Sequence, residues 1–238
     1  AAPAAVQALD LEARLPGRLM ASTPSEMEAL TGFNFHRGVL ALVRRPPVRS
    51  VSDVIATVTK MGVSAKADGR RPKAGGVHCP VLVIAEHLVD VDNIGSCFRT
   101  ARGFGAAGVL LDERCPDPLY RKAVRTSLGH VLDVPWAQAP IDVILQALRE
   151  HDVTTVGLSP RGLATTDRIE HLAAVSGRLD PSRPVAVLIG NEGSGLSDST
   201  MSACTHLASI PMAPGADSLN VATALAVSLY ELTRQGLR

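Results

Sequence analysis

From residue 81 onward, short apolar runs alternate with segments that have the periodicity of amphipathic helices. In the segment 93–102, Ile94, Cys97, Phe98 and Ala101 recur at the i, i+3, i+4, i+7 spacing of one helical face. Fully apolar runs are typical of strands buried on both faces of a parallel sheet. Strands are predicted at residues 81–85, 109–111, 153–157, 185–189 and 207–210, and helices at 93–102, 117–127, 141–150 and 218–234. The alternation predicts an α/β fold with a mostly parallel sheet covered by helices.

The residues before this alternation have a different character. Residues 1–20 are rich in Ala and Leu and helix-like, and residues 38–43 are predicted to form a buried strand that stops at Arg44-Arg45-Pro46-Pro47. Glycine and basic residues are frequent in 60–78, which indicates a flexible loop or linker. We therefore expect a small N-terminal domain over residues 1–50, a basic flexible linker over 51–78 and an α/β domain over 79–238.

Composition excludes several classes of protein. With 46% hydrophobic and 20% charged residues, the chain can form a core and is not of the disordered class. The sequence has no run of 18 apolar residues that could cross a membrane, and we expect no signal peptide because no charged segment followed by an apolar one stands at its start. The first residue is Ala1 rather than Met, so we expect the true N-terminus to be missing or processed.

The cysteines favour a reduced, metal-free protein. Cys79, Cys97, Cys115 and Cys204 form no C-x-x-C pair and have no zinc-ligand spacing with histidine. We expect four reduced and mostly buried thiols in a cytoplasmic protein, with no metal site.

The positive charge is concentrated in one segment. Residues 37–73 contain nine basic and two acidic residues, a net charge of +7, whereas the whole chain carries only +1. A basic segment on a nearly neutral protein suggests a polyanionic partner, although a solvated linker without a partner has the same charge.

Two glycine-rich segments have opposite contexts. Residues 103–108 match G-x-G-x-x-G, but they follow a predicted helix and precede a strand, the reverse of a dinucleotide-binding fingerprint. Glycines in that context end helices and form turns. Residues 190–195 directly follow the strand 185–189, where ligands of parallel sheets bind. An ordinary glycine turn would have the same sequence.

Two further segments carry polar residues at predicted helix starts. Ser218 and Asn220 precede the last helix, where such side chains either cap the helix or contact a ligand. Asn93 and Arg99 lie on the helix 93–102, where Asn93 could equally be a cap and Arg99 a solvated side chain. None of these segments identifies a function alone.

Together, three of these segments resemble the ordered motifs of the SpoU/TrmH family of the SPOUT superfamily. The motifs are Asn93-Ile-Gly-Ser-Cys-Phe-Arg99-Thr-Ala-Arg-Gly-Phe-Gly105, residues 189–197, and residues 210–212 with 218–221. The resemblance covers about residues 79–235, and residues 19–46 resemble the end of the family's small N-terminal substrate-binding domain. Ala222 and Thr223 stand where the family often has Ser and Val.

The resemblance implies an RNA ribose 2′-O-methyltransferase that uses S-adenosylmethionine. It implies a trefoil knot that holds the cofactor and a homodimer that shares the site between subunits. Cofactor contacts are expected at Leu188, Gly190, Asn191, Glu192, Gly193, Ile210, Met212, Leu219 and Ala222. The expected catalytic residues are Arg99, Asn93, Glu192, Ser218 and Asn220, and the expected RNA-binding residues are Arg37, Arg44, Arg45 and Arg102.

The resemblance gives Arg99 the catalytic position. Because a guanidinium is essentially always protonated, we expect its charge to lower the pKa of the ribose 2′-hydroxyl and to hold a phosphate. Ribosomal RNA is favoured as substrate over transfer RNA. The alternatives are a noncatalytic RNA-binding relative, methylation of a base atom, and another nucleotide-binding enzyme such as a dehydrogenase.

Overall fold

The computed structural model describes residues 10–14, 19–32, 39–58, 81–159 and 168–233. The chain divides into two compact units, Ala1–Pro47 and Val48–Arg238. The predicted linker residues 60–78 lie outside the described residues.

The first unit contains two helices, α1 (Leu11–Arg14) and α2 (Pro24–Thr31). A capping box fixes the start of α2, because the Thr23 hydroxyl accepts from the Glu26 backbone N–H at 3.3 Å and the Glu26 carboxylate accepts from the Thr23 N–H at 2.7 Å. Gly32 ends the helix at a φ of +73°.

The buried strand predicted at residues 38–43 is wrong. Residues 39–50 have no regular structure, and Leu42 and Val43 are exposed. A strand needs a neighbour to pair its backbone groups. The described residues of this unit form no other strand that could pair with it.

The second unit begins with a helix over residues 51–58, named α3. Ser50 and Asp53 cap its start, since the Asp53 carboxylate accepts from the Ser50 N–H at 3.2 Å and from the Ser50 hydroxyl at 2.7 Å. Val54, Ile55 and Val58 are fully buried in the core. Residues 51–58 are therefore a packed helix and not part of a flexible linker. The predicted boundary overlooked their apolar spacing within a basic stretch.

A seven-stranded parallel sheet forms the centre of this unit, which confirms the predicted α/β class. Its order is β3-β2-β1-β6-β4-β7-β5. The strands are β1 (Val81–Ala85), β2 (Gly108–Asp112), β3 (Trp136–Ala139), β4 (Thr154–Leu158), β5 (Ile169–His171), β6 (Val185–Ile189) and β7 (His206–Ser209). The remaining helices are α4 (Val91–Gly103), α5 (Arg121–Thr126), α6 (Ile141–Glu150), α7 (Leu172–Ser176), α8 (Asp198–Ala203) and α9 (Val221–Thr233), with a 3₁₀ turn at His130–Leu132.

Two apolar layers cover the sheet. One contains the predicted stripe of α4 together with Leu225, Leu229 and Leu232 of α9. The other contains α3 and α6. Since β6 pairs with both β1 and β4, its carboxyl end lies at the middle of the sheet edge. The loop that follows β6 therefore occupies the position where parallel sheets bind ligands.

Candidate active site

The loop 190–195 after β6 closes into a tight ring. Asn191 and Gly195 exchange backbone hydrogen bonds of 3.0 and 2.9 Å. Gly195 has a φ of +74°, a conformation that favours glycine. A Cβ on Gly190 would lie 2.2 Å from the carbonyl carbon of Gly195 and from the backbone nitrogen of Leu196. The two ends of the ring can meet only because residue 190 has no side chain.

The Asn191 side chain holds this ring from inside. Its Oδ1 accepts from the N–H groups of Gly193 and Ser194 at 2.9 and 3.0 Å, and its Nδ2 donates to the His87 carbonyl at 2.9 Å. Asn191 was predicted to contact the cofactor. Its amide is engaged by the protein, so its side chain shapes the loop and attaches it to the segment after β1. Asn191 also lines the cavity described below, and its contact with the cofactor stays a prediction.

The Glu192 carboxylate anchors the loop to the start of α4. It accepts from the N–H groups of Val89 and Asp90, both at 3.2 Å, and from Nδ2 of Asn93 at 2.9 Å. Partial burial raises the pKa of this carboxyl, but the hydrogen bonds from Asn93 and the backbone outweigh burial and lower it. Glu192 is therefore ionised near neutral pH and serves as an acceptor that holds Asn93 in place.

Asn93 connects Glu192 to the last helix. Asn93 is buried, and its Oδ1 accepts from Nδ2 of Asn220 at 3.0 Å. Oδ1 of Asn220 in turn accepts from the N–H groups of Ala222 and Thr223 at 2.9 and 3.3 Å, which caps α9. Three predicted catalytic residues from three distant segments thus form one hydrogen-bonded series, which we call the Glu192–Asn93–Asn220 relay.

A cavity of about 450 Å³ lies beside the relay, within the size range of small-molecule sites. It is formed at the carboxyl ends of β4, β6 and β7 and at the start of α9. Its lining residues are Leu158, Ser159, residues 189–196, Met201, Ala208, Ile210, Met212, residues 217–221 and Ala224. The lining combines apolar side chains with a glycine-rich backbone, which suits a ligand that has both a flat apolar part and polar groups.

Most of the predicted cofactor-binding residues line this cavity. They are Gly190, Asn191, Glu192, Gly193, Ile210, Met212 and Leu219, and the predicted catalytic residues Ser218 and Asn220 line it as well. Leu188 and Ala222 are not among the lining residues. Leu188 packs into the core layer that contains α3, on the sheet face opposite to that of Ile189. The Ala222 N–H binds Asn220.

Other lining residues were not predicted from the sequence. Ser159 follows β4 and is buried, Met201 belongs to α8, and Asp217 precedes Ser218. Asp217 directly precedes Ser218, which the sequence analysis had singled out, so its closeness to the site could have been predicted from the sequence. The position of Ser159 depends on the pairing of β4 with β6 and β7, which no local pattern reveals.

Arg99 does not join this group. It is exposed on α4 and is not among the lining residues of the cavity. Six residues separate it from Asn93, or about 600° of helical rotation, so the two side chains lie on different sides of α4. Of the predicted RNA-binding residues, Arg44, Arg45 and Arg102 are exposed, and Arg37 lies outside the described residues.

The structure places no thiol chemistry at this site. Cys97, Cys115 and Cys204 are free and buried. Burial raises the pKa of Cys115 and of Cys204 to about 12, and it raises that of Cys97 further. The described segments contain no group of three or more His, Cys, Asp or Glu side chains that could hold a metal ion. Within the same segments, no helix has the length and apolar character needed to span a bilayer.

Comparison with known proteins gives a consistent result. The model of the SpoU rRNA Methylase family matches residues 80–230. An uncharacterized tRNA/rRNA methyltransferase of Mycobacterium bovis is 38% identical over 88% of this chain and 64% of its own length. The chain thus spans about 64% of the length of this curated relative.

Two solved structures share the fold. The SpoU methyltransferase AviRb of Streptomyces viridochromogenes, solved in complex with AdoMet, is 30% identical with a TM-score of 0.56, and the match covers 70% of this chain and 60% of AviRb. An RNA 2′-O ribose methyltransferase is 28% identical with a TM-score of 0.58, over 72% of this chain and 61% of that one. The family match includes α4, the loop 190–195 and the start of α9, so it covers all three segments of the relay. This chain therefore belongs to the SpoU rRNA methylase family.

Proposed function

We propose that this protein transfers a methyl group from S-adenosylmethionine to a ribose 2′-hydroxyl of structured RNA, with ribosomal RNA favoured. The observation that carries the proposal is the cavity beside the Glu192–Asn93–Asn220 relay, in a chain of the SpoU family. The solved relatives that contain AdoMet or act on a ribose 2′-oxygen support it further.

The residues of the cavity fit this cofactor. Leu196, Ile210 and Leu219 are apolar side chains suited to a purine ring. The glycines of the loop 190–195 let backbone groups approach the ligand closely. When bound, the cofactor would supply an activated methyl group on a sulfonium. A cofactor site with this lining is consistent with the knotted fold of the family, which is part of the proposal.

The reaction itself requires positioning and charge. In an in-line displacement, the 2′-oxygen forms a bond to the methyl carbon while the carbon–sulfur bond breaks. The electron pair of that bond stays on sulfur, and the hydroxyl proton leaves to solvent or a nearby acceptor. Because a 2′-hydroxyl is a weak nucleophile, groups that orient it and stabilise its developing negative charge accelerate the step. We assign orientation to Asn93, Ser218 and Asn220.

Arg99 is proposed to act in the site of a second copy of this chain. Its exposure on α4, away from the cavity of its own subunit, leaves it accessible to a partner. Val227 and Tyr230 are exposed on α9, a helix that packs on α4, and they offer apolar surface to a partner. We therefore include a homodimer in the proposal. Mixing inactive Arg99→Ala and Asn220→Ala proteins tests it, because mixed dimers would regain one complete site.

The RNA partner is supported by exposed basic residues. Arg99 and Arg102 lie on α4, and Arg121 and Arg125 lie on the neighbouring α5. Such residues bind phosphates without reading sequence, so affinity should fall steeply with salt. The three buried free cysteines are consistent with a cytoplasmic location, which we also propose.

The decisive experiment follows methyl transfer from labelled S-adenosylmethionine to unmodified total RNA. Nuclease digestion then shows where the label lies. Label on a ribose 2′-oxygen of ribosomal RNA is the expected result, and label in transfer RNA would correct the substrate. Label on a base would show that the methyl acceptor is a base atom and not the ribose 2′-oxygen. Cofactor binding without transfer would favour a noncatalytic relative, and the absence of both would overturn the proposal.

The role of Arg99 has a separate test. Lysine keeps the charge but lacks the planar fork of donors that binds phosphate at two points. We expect Arg99→Lys to retain cofactor affinity and to lose most methyl transfer at every pH. Near-complete activity of this variant across a pH series would contradict a role that depends on the guanidinium.

A further inference from the structure

The cavity has an unbalanced charge. Of the twenty described residues that line it, only Glu192 and Asp217 have ionisable side chains, and both are acidic. No lysine, arginine or histidine of the described chain lines it. At neutral pH this lining therefore carries two negative charges and favours a ligand with positive charge.

The two carboxylates differ in how many hydrogen bonds the protein already makes to them. The Glu192 carboxylate accepts hydrogen bonds from Val89, Asp90 and Asn93, and these donors partly balance its negative charge. Asp217 is exposed, and its carboxylate makes no hydrogen bond or ion pair with any other described residue. It lies in the segment 213–220, where a turn is closed by a 3.1 Å bond from the Ala216 N–H to the Ala213 carbonyl. Its charge is thus available to a ligand.

We propose that Asp217 is a cofactor-binding residue that recognises the positive charge of a sulfonium ligand. This inference rests on the proposed function, since that function supplies the sulfonium. S-adenosylmethionine and the thioether left after methyl transfer, S-adenosylhomocysteine, differ by one methyl group and one positive charge. An acidic residue at the cavity favours the charged ligand and leaves the neutral thioether less tightly held. Asp217 thereby helps the product to leave after each turnover.

The test is calorimetric titration of the whole chain with each of the two ligands. The variants are Asp217→Asn, which removes the charge but keeps the size, and Glu113→Gln as a matched control. Glu113 is also an exposed carboxylate, but it does not line the cavity. We expect Asp217→Asn to weaken S-adenosylmethionine about 5-fold and S-adenosylhomocysteine less than about 2-fold. Glu113→Gln should change neither affinity.

The salt dependence of the two affinities is a second measurement, and a purely structural role of Asp217 would not change it. In the wild-type protein, the preference for the charged ligand should decrease as salt shortens the Debye length from about 10 Å at 0.1 M to about 3 Å at 1 M. In Asp217→Asn the preference should be smaller at low salt and change less. Equal thermal midpoints without ligand would show that the variant is folded.

Three results would overturn the inference, and they differ in what else they affect. An equal loss for both ligands would mean that Asp217 contacts a part that they share, either the adenosine or the α-ammonium group. An unchanged preference in Asp217→Asn would remove Asp217 from recognition and leave the proposed function standing. If the wild-type protein bound neither ligand, the proposed function would fail, and this inference with it.

Discussion

The two glycine-rich segments of this chain use the same residue for different purposes. Residues 103–108 lead from α4 into β2, at the amino end of a strand, and Gly105 has a φ of +69°. Residues 190–195 follow β6 at the carboxyl edge of the sheet, and Gly195 has a φ of +74°. Both segments use a left-handed glycine to turn the chain. The second segment lines the cavity of about 450 Å³ and the first does not, so the position in the sheet distinguishes a connection from a site.

The two segments also differ in how much space surrounds their glycines. A Cβ on Gly190 would lie 2.2 Å from backbone atoms, whereas one on Gly108 would lie 2.5 Å from Cγ1 of Val54. A Cβ on Gly103 would meet no heavy atom within 4 Å. Side-chain atoms can move more easily than backbone atoms, so alanine at these positions should have effects of decreasing size.

The largest effect is expected for Gly190→Ala. The added methyl group would force the ring 190–195 open, because backbone atoms cannot move aside without breaking its hydrogen bonds. We expect a loss of about 3 kcal/mol or more in the free energy of unfolding, with loss of cofactor binding. Urea unfolding and calorimetry would measure the two effects.

Gly193→Ala is the matched control for the free energy of unfolding within the same ring, and it should stay close to wild type in that measurement. Its Cβ would meet only Oδ1 of Asn191, at an ordinary 3.5 Å. Wild-type stability and cofactor affinity in Gly190→Ala would contradict the close approach that defines the ring.

Glu192→Gln should affect activity more than stability. The amide keeps one carbonyl oxygen, but its NH2 group would face either the Val89 N–H or the donors of Asp90 and Asn93, so one of the two oxygens that fix the relay would be lost. Misplacement at a reacting centre is costly, and we expect methyl transfer to fall about 10- to 100-fold. Single-turnover rates at saturating cofactor would measure it. Asn93→Asp would then show whether the other end of the relay is equally sensitive.

The same residue predicts a pH dependence. Because the pKa of Glu192 is lower in the folded protein than the ordinary value of 4.5, its ionised form stabilises the fold. That contribution is complete above the unfolded pKa and is lost as pH falls through the folded pKa. Between pH 6 and 3, the urea midpoint should fall more in the wild-type protein than in Glu192→Gln. Parallel curves for the two proteins would contradict the assignment.

Gly108→Ala should have an intermediate effect that a second change can relieve. The methyl group would press on Val54 of α3 and lie 3.0 Å from the Pro135 carbonyl. We expect a loss of about 1–3 kcal/mol in the free energy of unfolding. In a double-mutant cycle, Val54→Ala should make Gly108→Ala less damaging, although Val54→Ala alone destabilises the core. Additive effects would show that the two residues do not compete for space.

The smallest effect is expected for Gly103→Ala. This glycine ends α4, and alanine there has open space and a higher helix propensity. The free energy of unfolding should stay within about 0.5 kcal/mol of wild type or rise slightly. A large loss of free energy of unfolding, measured with heat or urea, would show that Gly103 has less free space around it than the structure indicates.

The sequence predicts the buried parts of the fold well and the edges poorly. The strands at 81–85 and 185–189 have the predicted bounds, because unbroken apolar runs are unambiguous. β3 was missed because Trp136–Ala139 includes the polar Gln138, whose amide binds the Asp112 and Cys115 carbonyls. β5 has only three residues, too few for any periodicity. Such strands are specified by their neighbours in the sheet.

The candidate site shows a similar division. The motifs place the loop 190–195 and the start of α9 correctly, since each is local to a strand or helix end. They do not reveal which side of α4 faces Glu192 and Asn220, so Asn93 and Arg99 were grouped although they lie on different sides of the helix. Nor do they reveal the hydrogen bonds of the relay. Asn93 is 99 positions from Glu192 and 127 positions from Asn220 in the sequence. Those contacts follow from the order in which the strands pair.

The relay also has a consequence for how the protein is made. Its members come from the start of α4, the loop after β6 and the cap of α9, so no N-terminal fragment that ends before Asn220 contains all three. During synthesis, a chain whose Asn220 has not yet left the ribosome already contains the residues of β1 and β2, but it cannot complete the cavity. Cofactor therefore cannot assist the early stages of folding, and ligand-induced protection from proteolysis would mark chains that have finished them.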